Sequence, residues 1–403
     1  MQKTDYLIIG GGIIGITVAR ELQRRDPKAH VTVIDKEASL GQHASGRNSG
    51  VLHSGIYYPS DSLKAQFTRE GNLAWRIYCE EKGISIDPCG KLIVARDEKE
   101  HAQLETLEQR GFDNGVEVHR VDKTQAQEIE CRARTFEHAL FVPSTATADP
   151  LDLLNAQQKD FTTAGGHMLC GYPYLGNLGN NAIRAGPEHI QAGMLVNCAG
   201  LYADKVAKDF GFGKQYTLLP FKGLYHYAAE DSVPPRSHIY PVPDLKNPFL
   251  GVHFTRTLGG RTKIGPTAIA ALWREHYGGF AGFKFLELME VASRELSMLA
   301  TNRNNFRSLA GQEIRKYQVK NMIAEAETLM NDVSEMRFKT PGKPGIRAQL
   351  VKKENNELVM DFAVEGDDRS IHVLNAISPA WTCAIPFSKF VVDKCLSENS
   401  LRC

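Results

Sequence analysis

A glycine-rich segment near the beginning of the chain constrains the fold more than any other feature. Residues 10–15 read Gly-Gly-Gly-Ile-Ile-Gly, directly after the apolar run 6–9 and directly before a helical pattern. In this spacing Gly10 permits a sharp turn, Gly12 lets the backbone approach a pyrophosphate, and Gly15 lets the helix pack on the strand. The positive end of the helix then faces the phosphates. The segment therefore predicts a dinucleotide-binding loop.

The residues after this loop complete the pattern. Pro27 ends the helix, and the apolar run 31–34 predicts a second buried strand that ends at Asp35. A carboxylate at this place is typical of ribose binding. A glycine pattern alone is weak, but strand, helix, second strand and acid in this order favour a nucleotide cofactor over a loop that serves packing only.

Length and charge exclude several classes of protein. A chain of 403 residues suggests two domains, and a net charge of +1 supplies no field that would attract nucleic acid. The cysteines are scattered without metal-ligand spacing, so we expect no metal site. The first strand begins within a few residues of Met1, and no apolar run approaches the ~20 residues of a membrane-spanning helix. We expect a cytoplasmic protein.

Two further segments predict cofactor contacts. Residues 41–50 are small and polar, as in a loop that surrounds a cofactor. The apolar strand 194–197 runs into Ala199 and Gly200, which predicts a second phosphate-side turn. Both segments extend the site beyond the first glycine loop.

The middle of the chain follows a different period. Alternating, aromatic-rich residues over 218–264, with a turn at Gly259 and Gly260, predict an antiparallel sheet, and residues 283–331 predict helices that cover it. The expected fold class is α/β (α+β overall), a Rossmann-like domain interleaved with an antiparallel-sheet domain. The predicted cofactor-binding domain comprises residues 1–80, 145–212 and 335–403, and the predicted substrate-binding domain comprises residues 81–144 and 213–334.

Several segments resemble one family, the FAD-dependent amine and hydroxy-acid oxidases of the D-amino-acid oxidase type. The segments most similar to members that act on L-2-hydroxyglutarate are 48–58 (NSGVLHSGIYY), 62–65 (SLKA), 240–244 (YPVPD), 248–255 (PFLGVHFT), 345–349 (GIRAQ) and 375–382 (NAISPAWT). The resemblance implies bound FAD and oxidation of L-2-hydroxyglutarate to 2-oxoglutarate. It also implies hydride transfer from the substrate Cα to flavin N5, with electrons passed to oxygen or a quinone.

Five residues depart from the family pattern. Arg47 replaces a histidine, Lys222 replaces an arginine, and Leu224 replaces an acid, while Ile377 and Trp381 alter the last segment. Lys222 and Trp381 are expected to affect the substrate pocket more than the fold.

The implied reaction needs a base for the hydroxyl proton, and two histidines are candidates. His53 follows the cofactor loop and is the first choice, because an imidazole with a pKa of about 6.5 suits proton transfer at neutral pH. A structural histidine bonded to the loop backbone is the alternative. His253 lies in a strand whose alternation separates it from Val252 and Phe254. If those two side chains face the covering helices, His253 faces the flavin; the alternative is a histidine satisfied within the sheet.

The substrate carboxylates need cations. The resemblance places Arg347 at the first carboxylate, where a guanidinium can bind it through two parallel hydrogen bonds. A second carboxylate needs another group, for which Lys222 and Arg274 are candidates and Tyr240 is a hydrogen-bond donor. Each of these three also has an ordinary structural interpretation.

The cofactor contacts are expected along the loops described above. The predicted cofactor-binding residues are Gly10, Gly12, Ile13, Ile14, Gly15, Asp35, Lys36, His43, Ser45, Asn48, Ser49, Gly50, Ala199, Gly200, Pro379 and Ala380. A minority hypothesis is that His43 carries the flavin covalently, as a histidine in this loop does in some related dehydrogenases.

Other functions stay open from the sequence alone. Sarcosine, a D-amino acid or glycerol-3-phosphate could be the substrate on the same scaffold, or the chain could be a non-catalytic flavoprotein. The glycine loop alone would also suit an NAD-dependent dehydrogenase. The electron acceptor and peripheral contact with the inner membrane through residues 283–331 are likewise left open.

Overall fold

The computed structural model describes residues 1–245, 250–302 and 305–399 of the chain. Pro248 and Phe249, which belong to one segment of the family resemblance, lie outside the described residues. The strands are β1 (Gln2–Ile9), β2 (Val31–Asp35), β3 (Val51–Leu52), β4 (Ile86–Asp87), β5 (Lys91–Val94), β6 (His119–Asp122), β7 (His138–Val142), β8 (Ala146–Ala148), β9 (His167–Cys170), β10 (Tyr174–Gly179), β11 (Ala182–Ala185), β12 (Glu188–Asn197), β13 (Tyr216–Gly223), β14 (His226–Tyr227), β15 (His238–Pro241), β16 (His253–Arg256), β17 (Thr262–Gly265), β18 (Ile269–Ala270), β19 (Thr340–Pro341), β20 (Gly345–Lys352), β21 (Ala363–Gly366) and β22 (Ser370–Asn375). The α-helices are α1 (Ile13–Arg25), α2 (Leu63–Lys82), α3 (Glu98–Asp113), α4 (Lys123–Ile129), α5 (Pro150–Thr163), α6 (Ala203–Asp209), α7 (Phe285–Thr301), α8 (Phe306–Arg315), α9 (Val319–Glu327) and α10 (Ala380–Asn399).

The first sheet is the nucleotide-binding sheet that the glycine loop predicts. Its parallel part runs in the order β22-β12-β1-β2-β9, and the β10–β11 hairpin extends it beside β12. In β1, Tyr6 and Ile8 pack into the core that contains α1 and α10, whereas Leu7 and Ile9 pack into the core on the opposite face. Because both faces of this strand are covered, its sequence is a continuous apolar run. The glycine loop therefore lies at the carboxyl end of the central strand.

The second large sheet runs in the order β19-β14-β17-β16-β15-β5-β7-β6 and is antiparallel except for the β15–β5 pair. The hairpin predicted at Gly259 and Gly260 is present between β16 and β17, closed by a hydrogen bond from Thr257 N to Arg261 O (2.8 Å). Strand β16 begins only at His253, because Gly251 adopts a left-handed φ of 74° shortly before it.

The region 283–331, for which the sequence predicts helices, forms three of them in its described part. Helix α7 ends where Asn302 takes a left-handed φ of 46°, which a non-glycine residue adopts only at a break. Helix α9 covers the second sheet, with Met322 and Ala326 packed in the same core as Phe254. None of the described helices combines the length and apolarity needed to cross a membrane.

A smaller sheet connects the two predicted domains. Strand β13 belongs to the segment assigned to substrate binding and pairs along its whole length with β20, which belongs to the segment assigned to cofactor binding. This pairing puts Phe221 opposite Arg347 and Lys222 opposite Ile346. The domain boundaries stay a prediction, but the pairing decides which of these side chains share a face.

Candidate active site

One cavity of about 1440 Å³ extends from the glycine loop to the second large sheet. Ligand pockets are commonly about 300–1,000 Å³, so this space exceeds that of a single small ligand. Its walls combine residues of the nucleotide-binding sheet with residues of β15, β16 and β20. The cavity can therefore hold a dinucleotide and a small substrate side by side.

The glycine loop has the close backbone contacts that its sequence predicts. Gly10 has a φ of 104°, and a Cβ atom on it would lie 2.5 Å from the carbonyl oxygen of Cys198. A Cβ atom on Gly15 would lie 1.9 Å from the carbonyl oxygen of Gly10. Neither position can carry a side chain without moving backbone, so the loop keeps helix α1 close to strand β1.

Two side chains orient the loop toward the cavity. The Asp35 carboxylate accepts hydrogen bonds from Gly11 N (2.7 Å) and from Glu37 N (2.9 Å). Ser45 Oγ accepts one from Ile13 N (2.9 Å), in the first turn of α1. These bonds are made within the protein and hold an acid at the end of β2, where a ribose hydroxyl can bind.

Almost all predicted cofactor-binding residues line this cavity. They are Gly10, Gly12, Ile13, Ile14, Gly15, Asp35, Lys36, His43, Ser45, Asn48, Ser49, Ala199, Gly200, Pro379 and Ala380. Gly50 does not line it. Gly50 instead has a φ of 76°, and a Cβ atom there would lie 2.7 Å from the carbonyl oxygen of Ala148, so its role is the close approach of two backbones.

His43 lines the cavity with both ring nitrogens already engaged. Nε2 lies 2.9 Å from Glu37 Oε1, and Nδ1 lies 2.8 Å from the Tyr277 hydroxyl. Lys36 adds an ion pair to Glu275 (2.8 Å). The segment that contains Glu275 and Tyr277 is thereby attached to the cofactor loop. Covalent attachment at His43 would require one of these hydrogen bonds to break.

His253 lies at the other end of the cavity and has a defined tautomer. Its Nδ1 lies 3.0 Å from the carbonyl oxygen of Gly251, so a neutral ring donates there and leaves Nε2 as an acceptor. The ring stacks on Tyr240 with centroids 3.8 Å apart. Burial and the charge of Lys91 lower the pKa of His253 to about 3, although the hydrogen bond to the Gly251 carbonyl acts in the opposite direction. Val252 and Phe254 face the core under α9, as the alternation predicts.

His53 lines the same cavity on the segment that follows the cofactor loop. Its backbone is held by Thr382 Oγ1, which accepts from His53 N (3.2 Å), and by Asn72 Nδ2, which donates to His53 O (3.1 Å). Burial and the charge of Lys91 lower the pKa of His53 well below its ordinary value. Both histidines are therefore neutral at physiological pH and able to accept a proton.

Arg347 and Tyr240 also line the cavity. Burial lowers the pKa of Arg347 to about 10, which leaves the guanidinium charged at neutral pH. Burial raises the pKa of Tyr240, so its hydroxyl keeps its proton and can donate it in a hydrogen bond. Arg347 is thus a cation within the same space as both histidines.

The other two predicted substrate ligands lie elsewhere. Lys222 is buried but does not line the cavity, although Ile346 and Ala348 on the same face of the β13–β20 pair do. Arg274 is 1% exposed and pairs with Asp204 (Nη1 to Oδ1, 2.6 Å). Its charge is neutralised within the protein, so the ordinary structural interpretation fits both residues.

The sequence analysis missed a cavity cation, Lys64. This residue is 4% exposed, lines the cavity and makes no ion pair with any described carboxylate. Its position could have been found from α2, where Thr68, Gly71 and Trp75 follow it at helical spacing on the buried face. A lysine on an otherwise buried stripe is the signal.

Three of the residues that depart from the family pattern also line the cavity, namely Arg47, Ile377 and Trp381. Trp381 stacks against Trp75 with centroids 6.2 Å apart, and Arg47 lies 4.3 Å above the Tyr277 ring. Leu224 lies outside and exchanges hydrogen bonds with Thr267. The departures therefore change the cavity wall at both ends.

Comparisons with known proteins agree with this geometry. Residues 5–393 match the family model described as FAD dependent oxidoreductase. The chain is similar to L-2-hydroxyglutarate dehydrogenase of Escherichia coli (strain K12), at 34% identity over 97% of this chain and 92% of that protein. It is equally similar to the mitochondrial L-2-hydroxyglutarate dehydrogenase of Homo sapiens, at 34% identity over 97% of this chain and 88% of that protein.

Solved structures show the same fold at lower identity. L-alpha-glycerophosphate oxidase from Mycoplasma pneumoniae with FAD bound has a TM-score of 0.76 and 21% identity, over 98% of this chain and 95% of that one. Glycine oxidase from Geobacillus kaustophilus has a TM-score of 0.73 and 18% identity, over 99% of this chain and 96% of that one. The fold is thus shared by enzymes that act on different small molecules.

Proposed function

Because this chain belongs to the family of FAD-dependent oxidoreductases, we propose that it oxidises L-2-hydroxyglutarate to 2-oxoglutarate. The observation that carries the proposal is a single cavity in which a dinucleotide loop, two neutral histidines and a buried arginine meet. The curated relatives, matched over nearly the whole chain, are named for this substrate.

The residues at the glycine loop fit FAD. Side chains are excluded at Gly10 and Gly15 by backbone, which leaves room for a pyrophosphate beside the start of α1. Asp35, held by Gly11 N at the end of β2, would bind a ribose hydroxyl. Lys36, Ser45 and Ala199 line the adjoining wall. When bound, FAD supplies the acceptor of two electrons that the protein's own side chains lack.

The side chains at the far end bind and orient the substrate. Arg347 binds the carboxylate next to the reacting carbon, and its planar guanidinium limits rotation of the 2-hydroxy acid. Nε2 of His253 accepts the proton of the 2-hydroxyl group, because Nδ1 is already committed to Gly251. Oxidation removes this proton and a hydride from C2, which leaves the 2-oxo acid. His53 borders the same space and is the alternative acceptor.

An anaerobic titration tests this proposal. The flavin-loaded protein is mixed with L-2-hydroxyglutarate while the visible flavin absorbance is followed, with the D-enantiomer, glycerol-3-phosphate and sarcosine as controls. We expect bleaching by the L-acid alone. Bleaching by a control instead would replace the substrate and keep the flavin reaction, and no bleaching by any of them would favour a non-catalytic flavoprotein.

We also propose that the electrons pass to a quinone or oxygen and that α7 makes peripheral contact with a membrane. Leu286 is 81% exposed, and Phe285, Met289 and Leu296 on the same helix are also exposed. Apolar side chains at a helix surface favour an interface. Sedimentation with vesicles tests the membrane contact, and reduction of a soluble quinone tests the electron acceptor. A protein that stays in the supernatant and reduces oxygen only would contradict the membrane contact.

A further inference from the structure

The cavity cation Lys64 has an environment that calls for an anionic ligand. It is 4% exposed, and its ammonium lies 5.8 Å from the centre of the Tyr58 ring. Among the described residues it makes no ion pair. A buried ammonium without an ion pair is costly. Burial together with the charge of Arg347, opposed in part by the Asp361 carboxylate, lowers the pKa of Lys64 to about 7. An anion in the cavity would remove this cost.

The acid that neighbours Lys64 is occupied by backbone. The Asp361 carboxylate accepts hydrogen bonds from Leu63 N (2.8 Å), Lys64 N (3.1 Å) and Phe362 N (2.8 Å). It thereby fixes the start of α2 to the segment before β21 and aims the first turn of the helix at the cavity. Asp361 therefore positions the backbone of Lys64 without forming an ion pair with its side chain.

Lys64 and Arg347 act on the same part of the cavity. The charge of Arg347 acts on Lys64, and the Tyr58 side chain lies near both. They come from different elements, α2 and β20, so two cations approach one space from two directions. A ligand with two separated negative groups can contact both cations at once.

We propose that Lys64 binds the second carboxylate of a dicarboxylate whose first carboxylate is bound by Arg347. The inference rests on the proposed function and assigns the specificity for a dicarboxylate over a monocarboxylate to one residue. Lys64 thereby takes the role of second-carboxylate ligand that the sequence suggested for Lys222 and Arg274, which lie outside the cavity.

The test compares two buried lysines. Lys64→Met removes the charge in the cavity, and Lys222→Met removes a charge that is equally buried but outside it. The ligands are glutarate, which has no hydroxyl group to oxidise, and pentanoate, which has the same chain length and one carboxylate. Their affinity for the flavin-loaded protein is measured from the change in the visible flavin spectrum.

For Lys64→Met we expect affinity for glutarate to fall on the order of 100-fold, with affinity for pentanoate unchanged, since one partner of a buried charge pair is lost. Lys222→Met should match the wild type with both ligands. With L-2-hydroxyglutarate and L-2-hydroxypentanoate as substrates, the ratio of kcat/KM values should shift by the same factor. Lys64→Gln serves as a second variant if the methionine variant does not load flavin.

An equal loss of affinity for both ligands in Lys64→Met, or a selective loss in Lys222→Met, would overturn the inference. Failure of the proposed function looks different. In that case the wild type would bind glutarate through Lys64 and yet show no flavin reduction by L-2-hydroxyglutarate. The binding experiment therefore tests Lys64 independently of turnover.

Discussion

The two ends of the cavity are stabilised in different ways. At the dinucleotide end, polar groups pair with one another: Asp35 with Gly11 N, Ser45 with Ile13 N, and Lys36 with Glu275. At the substrate end, Lys64 is buried without an ion pair among the described residues, and the histidines are held neutral by burial. The first end is complete within the protein, whereas the second is electrostatically incomplete.

This difference indicates what each end selects. Preformed hydrogen bonds lower the cost of ordering a cofactor site, which favours tight and permanent binding. Buried cations favour a ligand that brings the missing negative charge, and they discriminate against neutral ones. The dinucleotide end, with its paired polar groups, therefore fits a cofactor that stays bound. The substrate end, with its buried lysine, fits an anion that exchanges.

The largest expected effect is at the dinucleotide end. In Gly15→Ala the new Cβ atom would lie 1.9 Å from the carbonyl oxygen of Gly10, so the loop must open. We expect less than about a tenth of the flavin to remain after gel filtration, read from visible absorbance per protein. Gly311→Ala is the control, because no atom lies within 4 Å of its Cβ position. Full flavin retention in Gly15→Ala would show that the loop is not the phosphate site.

The next effect separates two buried arginines. Arg347→Met should lower kcat/KM about 10³-fold, because the arginine is proposed to bind substrate. Arg274→Met should instead act on stability. It leaves the fully buried Asp204 carboxylate with Lys208 as its remaining cation, at a cost of about 3 kcal/mol, while KM stays near the wild-type value.

Steady-state kinetics and urea unfolding of both arginine variants measure this contrast. A raised KM in the Arg274 variant, together with an unchanged kcat/KM in the Arg347 variant, would restore the sequence-based assignment of Arg274 to substrate binding.

A smaller effect is expected at the base. In His253→Asn the amide nitrogen can still donate to Gly251 O, but the amide has no basic atom that can take up a proton in place of Nε2. The rate of flavin reduction should fall about 100-fold. In the wild type this rate should not decline between pH 8 and pH 5 through His253, since its pKa is about 3. If His53→Asn loses the activity and His253→Asn keeps it, the base is His53.

The smallest effect is on stability in acid. His238, His253 and His372 have pKa values lowered by burial to about 3, 3 and 4, whereas unfolded histidines titrate near 6.5. Below pH 6.5 the unfolded chain binds protons that the folded chain does not. The free energy of unfolding should therefore be highest above pH 6.5 and fall by up to about 1.4 kcal/mol per pH unit for each histidine. Urea unfolding at pH 7 and pH 5.5 measures this; equal stability would show that these histidines are not neutral in the fold.

Local sequence was enough to predict the nucleotide-binding half. The glycine spacing, the apolar strands and Asp35 concern neighbours in the chain, so their geometry follows from backbone sterics and period. Alternation also predicted that Phe254 and His253 face opposite sides, and the β16–β17 hairpin was confirmed at its two glycines. The bounds of the helices within 283–331 were not predicted, because no proline marks them and the first break uses Asn302 and Asn305 in a left-handed conformation.

The cations of the substrate end could not be sorted in this way. Lys222, Arg274 and Lys64 are all basic residues near candidate segments, and composition does not distinguish them. The role of Lys222 depends on how β13 packs beside the cavity, and that of Arg274 depends on the position of Asp204. The role of Lys64 depends on the rotation of α2 toward the cavity. Each of these is a long-range packing relation.

The sequence by itself determined that the chain has a dinucleotide loop and an FAD-dependent family pattern, and the family resemblance predicted an arginine for the substrate carboxylate. The tertiary structure alone decided which charges are neutralised inside the protein and which face the cavity. The physical reason is that backbone conformation depends on neighbouring residues, whereas the cost of a buried charge depends on every group that packs around it. Arg274 and Lys64 show the difference, since both are buried and, among the described residues, Arg274 forms an ion pair and Lys64 does not.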